Sequence, residues 1–137
     1  RYYAIASCVL VVKMIVVANW AGFQRFRTGA WLNPEDARWV GKGKPAVAEE
    51  HPAVQRAQRA MRNDFENLIP FFVLGALYVA TGASALGAAA YFGVFTVARV
   101  AHGVFYLNAV QPWRNFSYLA GLLVLIGLLT QILMRVL

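Results

Sequence analysis

The chain has 137 residues, of which 60% are apolar and only 14% charged, and its mean hydropathy is +0.53. Soluble domains typically carry about 45–50% apolar and about 25% charged residues, so this composition excludes an ordinary soluble domain and indicates a membrane protein. The net charge of +7 does not indicate nucleic-acid binding, because the basic residues are concentrated in the connections between apolar segments.

Four apolar segments are long enough to cross about 30 Å of hydrocarbon, which takes roughly 20 helical residues. They are residues 2–23, 65–82, 86–107 and 115–136. The first is longer than the apolar region of a typical signal peptide, so we expect it to be a transmembrane span. The pattern predicts an all-α protein, a single domain over residues 1–137 in which four antiparallel helices form an integral-membrane bundle with one sizeable loop, residues 28–52.

The charges between the spans predict how the bundle is oriented. Eight of the 13 basic residues lie between the first two spans and Arg114 lies between the last two, whereas the middle connection has no charge. By the positive-inside rule, the first and third connections face the cytoplasm and both termini lie on the other side. We expect the membrane to be a bacterial inner membrane or the endoplasmic reticulum, with some attraction of the basic loop to anionic lipids.

The second long helix is predicted to begin before its apolar segment. In the loop ahead of it, "NPED" at residues 33–36 favours a short helix with two acids in its first turn. Pro52 or Ala53 then opens the second long helix, which enters the bilayer near Phe65. Pro70 is expected to kink that helix or loosen one of its turns.

Four polar residues at i, i+3, i+4 and i+7 share one face of this helix. They are Arg59, Arg62, Asn63 and Glu66. A solvated helix end with arginines at the lipid headgroups would account for the first two. It does not account for an amide and an acid that extend into the apolar region, so the stripe favours a binding site.

The third span carries a second polar stripe, formed by Arg99, His102 and Tyr106. A charge near the middle of a span costs about 2.5–3.5 kcal/mol on insertion scales, so it normally faces a partner or a wet cavity. Two interpretations are open: an Arg99–Glu66 pair that only ties helices together, or a ligand site that such a pair supports. Lys13 in the first span either bridges helices or extends to the membrane interface.

The segment "QPWRNFSY", residues 111–118, places Arg114, Asn115 and Tyr118 at the start of the fourth helix, where backbone N–H groups favour an anion. With Arg25 and the two stripes, they predict a polar pocket for a small anion that carries one ammonium group. Carboxylates would bind the arginines, and the ammonium would bind Glu66. One cysteine and two separated histidines do not favour a metal centre built by the protein.

These motifs closely resemble the MAPEG family of membrane-associated proteins in eicosanoid and glutathione metabolism. The resemblance is carried by "VVKMIVVA", "NPED", "RAMRNDFENLIPF", "ARVAHGVFYL" and "QPWRNFSY". It is strongest to the branch of microsomal prostaglandin E synthase type 1 and microsomal glutathione transferase type 1. It implies a homotrimer of four-helix bundles that binds glutathione between protomers near the cytoplasmic face, together with a lipophilic substrate from the bilayer.

The same resemblance assigns residues to the glutathione site. The implied contacts are Arg25, Arg59, Arg62, Asn63, Glu66, His102, Tyr106, Arg114 and Tyr118, with Arg99 in support. Arg114 would stabilise the glutathione thiolate, and Asp36 of "NPED" would belong to the same network. Asn115 stands where the prostaglandin synthase branch has a serine, and this departure puts prostaglandin isomerisation in doubt.

The function implied is that of a membrane-bound glutathione transferase in detoxification, which adds the thiolate to lipophilic electrophiles and also reduces lipid hydroperoxides. Two alternatives stay open. One is a glutathione-dependent isomerase of the prostaglandin E synthase type. The other is a non-enzymatic scaffold that binds lipophilic ligands, although that branch of the family lacks most of the arginine and glutamate set present here.

Overall fold

Five helices and no strand make up the computed structural model, which describes residues 1–137. The helices are α1 (Tyr2–Thr28), α2 (Pro34–Trp39), α3 (Pro52–Ala80), α4 (Ala85–Leu107) and α5 (Trp113–Val136). The predicted all-α fold is confirmed. Each of the four long helices contains one predicted span or most of it, and α2 is the short helix expected at "NPED".

Three of the long helices, α1, α4 and α5, are long and apolar enough to cross a membrane. The N-terminal half of α3 carries the first polar stripe, so α3 is less apolar than the others even though it is the longest helix. It begins at Pro52, as predicted, and continues through Pro70. The apolar segment that starts at Phe65 is therefore only the C-terminal part of a longer helix.

The long helices pack in the order α1, α3, α5, α4 around the bundle. Each contacts its two neighbours, α3 and α4 also touch across the centre, and α1 and α5 do not pack against each other. Buried aromatic rings fill the centre, where Phe71 of α3 stacks on Phe95 of α4 with ring centroids 4.1 Å apart. Glycines let the helices approach closely: a Cβ at Gly75 would lie 2.6 Å from the ring of Tyr3.

The end of α1, the start of α3, the end of α4 and the start of α5 lie together, because successive long helices are antiparallel. We call this the loop end of the bundle, since the loop that contains α2 is attached there. The residues of both polar stripes and of "QPWRNFSY" lie in this half of the helices. The fold therefore brings the sequence-predicted site residues to one end of the molecule.

Candidate functional site

A cluster of aromatic rings and one guanidinium lies where α4 ends and α5 begins. The Arg114 guanidinium carbon is 4.9 Å from the centroid of the Tyr106 ring, in a cation–π arrangement. The His102 ring lies 5.6 Å from that of Tyr106 and 5.9 Å from that of Tyr118. The short turn between α4 and α5 brings these four predicted residues together within one protomer.

His102 has one nitrogen occupied and one free. Its Nδ1 lies 3.0 Å from the backbone carbonyl oxygen of Arg114, and because a carbonyl only accepts hydrogen bonds, Nδ1 carries a proton and donates. Nε2 is buried and has no partner in the chain. The residue is 4% exposed. The free nitrogen is therefore a position at which a bound molecule would satisfy a buried polar group.

Arg99 is fully buried and binds α3, one turn of α4 away from His102. Its Nη2 donates to the side-chain oxygen of Asn63 at 2.6 Å and lies 3.3 Å from a carboxylate oxygen of Asp64. The Arg99–Glu66 pair, one of the two interpretations of the sequence, is not formed. Glu66 follows Asp64 by two residues, or about 200° around the helix, so its carboxylate is on the exposed side of α3.

Asp64 also binds Lys13 of α1, so one buried carboxylate joins three helices. The interpretation of Lys13 as a bridge between helices is thereby confirmed, and its ammonium does not extend to the membrane interface. The absence of a side chain at Gly103 makes room for Lys13, because a Cβ at Gly103 would lie 2.7 Å from the Lys13 side chain. Asp64 itself was missed in the sequence, although it shares the buried face of α3 with Ala57, Ala60 and Phe71.

Three predicted site residues on α3 point away from the protomer. Arg59, Arg62 and Glu66 are exposed and form no ion pair within the chain. Asn63 lies beside them and has its side-chain oxygen on Arg99. The stripe therefore presents two guanidinium groups, one carboxylate and the N–H groups of one amide, none of which has a partner within the chain.

The remaining predicted site residues are not brought to this stripe. Arg25 on α1 pairs with Glu50 from the loop, where its Nε donates at 3.1 Å. Asp36 lies on α2, which packs against no other helix, and accepts a hydrogen bond from Asn33 at 3.0 Å. Asn115 is exposed on α5. Within one protomer, Arg25 is separated from Arg114 because α1 and α5 do not pack together.

An apolar groove of about 490 Å³ runs between α1 and α4. Valines form most of its walls, Lys13 and Gly103 lie along it, and Trp20 and Asn108 lie toward the loop end. His102 and Tyr106 do not line it. The walls of this groove therefore contain none of the side chains of the aromatic cluster around Arg114.

The fold and the polar groups together define a helical integral membrane protein that holds arginines, a histidine and tyrosines at one end of its bundle. The sequence model of the MAPEG family matches residues 3–134, and the chain belongs to this family. The resemblance found in the motifs is thus confirmed over almost the whole length of the chain.

Named relatives come from both expected groups. The chain is 40% identical to prostaglandin E synthase of Homo sapiens over 132 aligned residues. The alignment covers 96% of this chain and 86% of the relative. It is 33% identical over 118 residues to microsomal glutathione S-transferase 1 of Mus musculus, covering 84% and 76% of the two chains. By their names both relatives are enzymes. Their similarity to this chain supports the interpretation that it is an enzyme of the family rather than a purely structural bundle.

Proposed function

We propose that the chain is a membrane-bound glutathione transferase. It would activate the thiol of glutathione as a thiolate and add it to lipophilic electrophiles, with reduction of lipid hydroperoxides as a second activity. The observation that carries this proposal is the set of unpaired cationic donors on α3, with a single acid among them, at the same end of the bundle as the cluster around Arg114. Similarity to a microsomal glutathione S-transferase supports it.

The charges of the stripe match those of glutathione, which has two carboxylates, one ammonium and one thiol. Arg59 and Arg62 would bind carboxylates, and Glu66 would bind the ammonium. The side-chain N–H groups of Asn63 would donate to a carboxylate, and the free nitrogen of His102 would accept from a peptide N–H group. The thiol would then lie toward Arg114, Tyr106 and Tyr118, at the N-terminus of α5.

A cation beside a thiol lowers the thiol pKa, and the thiolate is the nucleophile. In the transferase reaction, the sulfur forms a bond to an electrophilic carbon while a leaving group such as chloride departs with its electron pair, and the thiol proton passes to solvent. In the second activity, two glutathione molecules are oxidised to the disulfide while one hydroperoxide is reduced to an alcohol and water. Asn115 would donate a hydrogen bond to the sulfur.

The proposal includes a homotrimer with the site between protomers. Arg59, Arg62 and Glu66 are exposed in one protomer, and Arg25 and Asp36 lie away from Arg114. A neighbouring copy that presents its own α1 and α2 to the stripe would cover the exposed charges and supply the two missing residues. Glutathione would then be enclosed on both sides, which excludes water and strengthens the electrostatic effect on its thiol.

The test is calorimetric titration of the purified, detergent-solubilised protein with glutathione, combined with ultraviolet absorbance of the thiolate in the same sample. We expect saturable binding, a thiolate signal at neutral pH and transfer of glutathione to a chlorodinitrobenzene electrophile. Binding without a thiolate signal or any transfer would remove the enzymatic proposal in favour of a ligand-binding scaffold. Absence of binding in a folded sample would remove glutathione as the ligand.

A glutathione-dependent isomerase of the prostaglandin E synthase type is the second candidate. The specific observation in its favour is the higher identity to the prostaglandin E synthase, 40% against 33%. Asn115 argues against the isomerase, because an amide cannot replace a hydroxyl in proton transfer. In this reaction the O–O bond of a prostaglandin endoperoxide is converted to a ketone and a hydroxyl, and glutathione is recovered unchanged.

The two candidates are separated by assaying both substrates with the same preparation. We expect transfer to the chlorodinitrobenzene electrophile to dominate in the natural sequence. If position 115 is the missing element, Asn115→Ser raises the formation of prostaglandin E from the endoperoxide. Efficient isomerisation by the natural sequence would make the second candidate the function.

A further inference from the structure

We propose that Asp64 is a positioning residue for the glutathione site. Held between α1 and α4, Asp64 fixes Arg99, and Arg99 fixes the Asn63 amide so that its N–H groups face the bound ligand. The inference rests on the proposed function and assigns a role to a buried carboxylate that does not line the stripe itself.

The contacts that support this role are all made by one atom of Arg99. Nη2 of Arg99 lies 2.6 Å from Asn63 Oδ1, 3.3 Å from Asp64 Oδ1 and 3.4 Å from the Asn63 backbone oxygen. Arg99 is 0% and Asp64 1% exposed, so water does not compete for these contacts. The stem of Arg99 passes close to α5, where a Cβ at Gly121 would lie 3.2 Å from its Cδ.

The orientation of the Asn63 amide follows from donor and acceptor chemistry. A guanidinium has only donors, so the amide oxygen must face Arg99, and the nitrogen with its two N–H groups faces the other way. That nitrogen forms no hydrogen bond within the chain, and Asn63 shares its face of α3 with Arg59, Arg62 and Glu66. The reversed amide would place N–H against N–H at Arg99 and turn an oxygen toward a ligand carboxylate, which it would repel.

Lys13 and Arg99, the two cations bound to Asp64, are not equivalent in this arrangement. Without Lys13, Asp64 and Arg99 remain a balanced ion pair that still holds Asn63. Without Asp64, Arg99 loses its only charged partner, and with Lys13 still present two buried cations face each other. Lys13→Met is therefore the matched control. Loss of Asp64 is best tested in the Lys13→Met background, where no repulsion between Lys13 and Arg99 unfolds the protein.

The experiment compares the natural sequence, Lys13→Met and the double variant Lys13→Met/Asp64→Asn. Glutathione affinity is measured by calorimetry, and KM is measured separately for glutathione and for the electrophile. We expect Lys13→Met to stay within about twofold of the natural affinity. The double variant should lose about tenfold, the equivalent of one hydrogen bond to a charged group, with KM for the electrophile unchanged. Equal losses in both variants, or a parallel rise of both KM values, would mean a general structural role.

A second readout needs no glutathione. In protein labelled with ¹⁵N-asparagine, the side-chain amide signal of Asn63 is assigned by its loss in Asn63→Ala. We expect this signal to move in the double variant and to stay in place in Lys13→Met. A signal unchanged in the double variant would overturn the positioning role. If the natural sequence binds no glutathione, the proposed function fails, and the amide signal still decides whether Asp64 positions Asn63.

Discussion

The Arg114 guanidinium lies against the Tyr106 ring rather than in an ion pair, and its positive charge is not cancelled by a neighbouring carboxylate. Such a charge stabilises a thiolate more than a thiol, so in the proposed function its contribution belongs to the reactive form of glutathione. We predict that Arg114→Ala lowers kcat by about 10²- to 10³-fold and changes glutathione affinity only a few-fold. Steady-state kinetics and calorimetry on the same preparation measure the two effects.

Arg135 provides a matched control at the opposite end of the bundle. Its guanidinium carbon is 4.6 Å from the centroid of the Tyr78 ring, so Arg135→Ala removes the same kind of contact away from the stripe. We expect kcat to be unchanged in this variant. If Arg114→Ala weakens binding and turnover equally, Arg114 is a binding residue and its role in stabilising the thiolate is wrong.

Glu66 is the only acid among the exposed polar residues of α3, and it has no ion pair within the protomer. If Glu66 binds the glutathione ammonium, as proposed, it should distinguish glutathione from an analogue that lacks the amino group. We predict that Glu66→Gln weakens glutathione by about tenfold or more and leaves the des-amino analogue almost unaffected. Competition binding with both ligands measures this difference.

The control for this prediction is Glu35→Gln, which removes one exposed acid from α2 and changes the net charge equally. We expect it to affect neither ligand. Equal weakening of glutathione and of the des-amino analogue by Glu66→Gln would instead indicate a general effect on the stripe.

At the residue scale, the sequence predicted the polar face of α3 but not the partner of Arg99. Asp64 and Glu66 are only two residues apart, so only their angular positions on the helix separate the buried acid from the exposed one. Asp64 continues the buried positions of Ala57 and Ala60, and this spacing predicts a buried carboxylate once Lys13 and Arg99 require one. The spacing does not show which helices meet there, because pairing depends on tertiary packing.

At the scale of helices, close contact between α1 and α3 depends on Gly75. A Cβ at this position would lie 2.6 Å from the ring of Tyr3, whose hydroxyl donates to the Phe72 carbonyl at 2.7 Å and is therefore held in place. We predict that Gly75→Ala lowers the free energy of unfolding by about 1–3 kcal/mol, as overpacking typically does. Thermal unfolding in detergent, followed by circular dichroism, measures the change.

Gly93 of α4 is the control, because a Cβ there would meet no atom within 4 Å in the protomer. The same substitution should raise helix stability by up to about 1 kcal/mol through helix propensity alone. A loss of stability in Gly93→Ala would show that another protomer packs on this face. Unchanged stability in Gly75→Ala would show that Tyr3 moves aside without cost.

The helices themselves were the most predictable part of the molecule. The positions of the long helices were predicted from apolar segments of nearly span length and from Pro52. Both signals depend on residues close together in the sequence. The apolar signal of α3 begins only at Phe65, because the residues before it carry the polar stripe. Helix order around the bundle was not predicted, since no periodicity in the sequence states which long helices are neighbours.

At the scale of the whole molecule, one protomer assembles only part of the predicted site. His102, Tyr106, Arg114 and Tyr118 come together on α4 and α5, whereas Arg25 pairs with Glu50 at the end of α1. A site that is shared between copies leaves no periodic signal in a single chain. The resemblance of the motifs, rather than their spacing, suggested that Arg25 and Arg114 contact the same glutathione and that this ligand lies between protomers.

This sharing can be tested by mixing two inactive variants, Arg25→Ala and Arg114→Ala, in one membrane. If each site combines Arg114 of one protomer with Arg25 of its neighbour, a mixed trimer contains some interfaces with both residues intact. With equal and random mixing, each of the two conditions is met at half of the interfaces, so we predict recovery of about a quarter of the natural activity. Transferase activity after co-expression, with each variant alone as the control, measures the recovery. Activity no higher than the average of the two single variants would place both residues in a site within one protomer. Such a site would require α1 and α5 to approach each other, which the order of helices in the bundle does not allow.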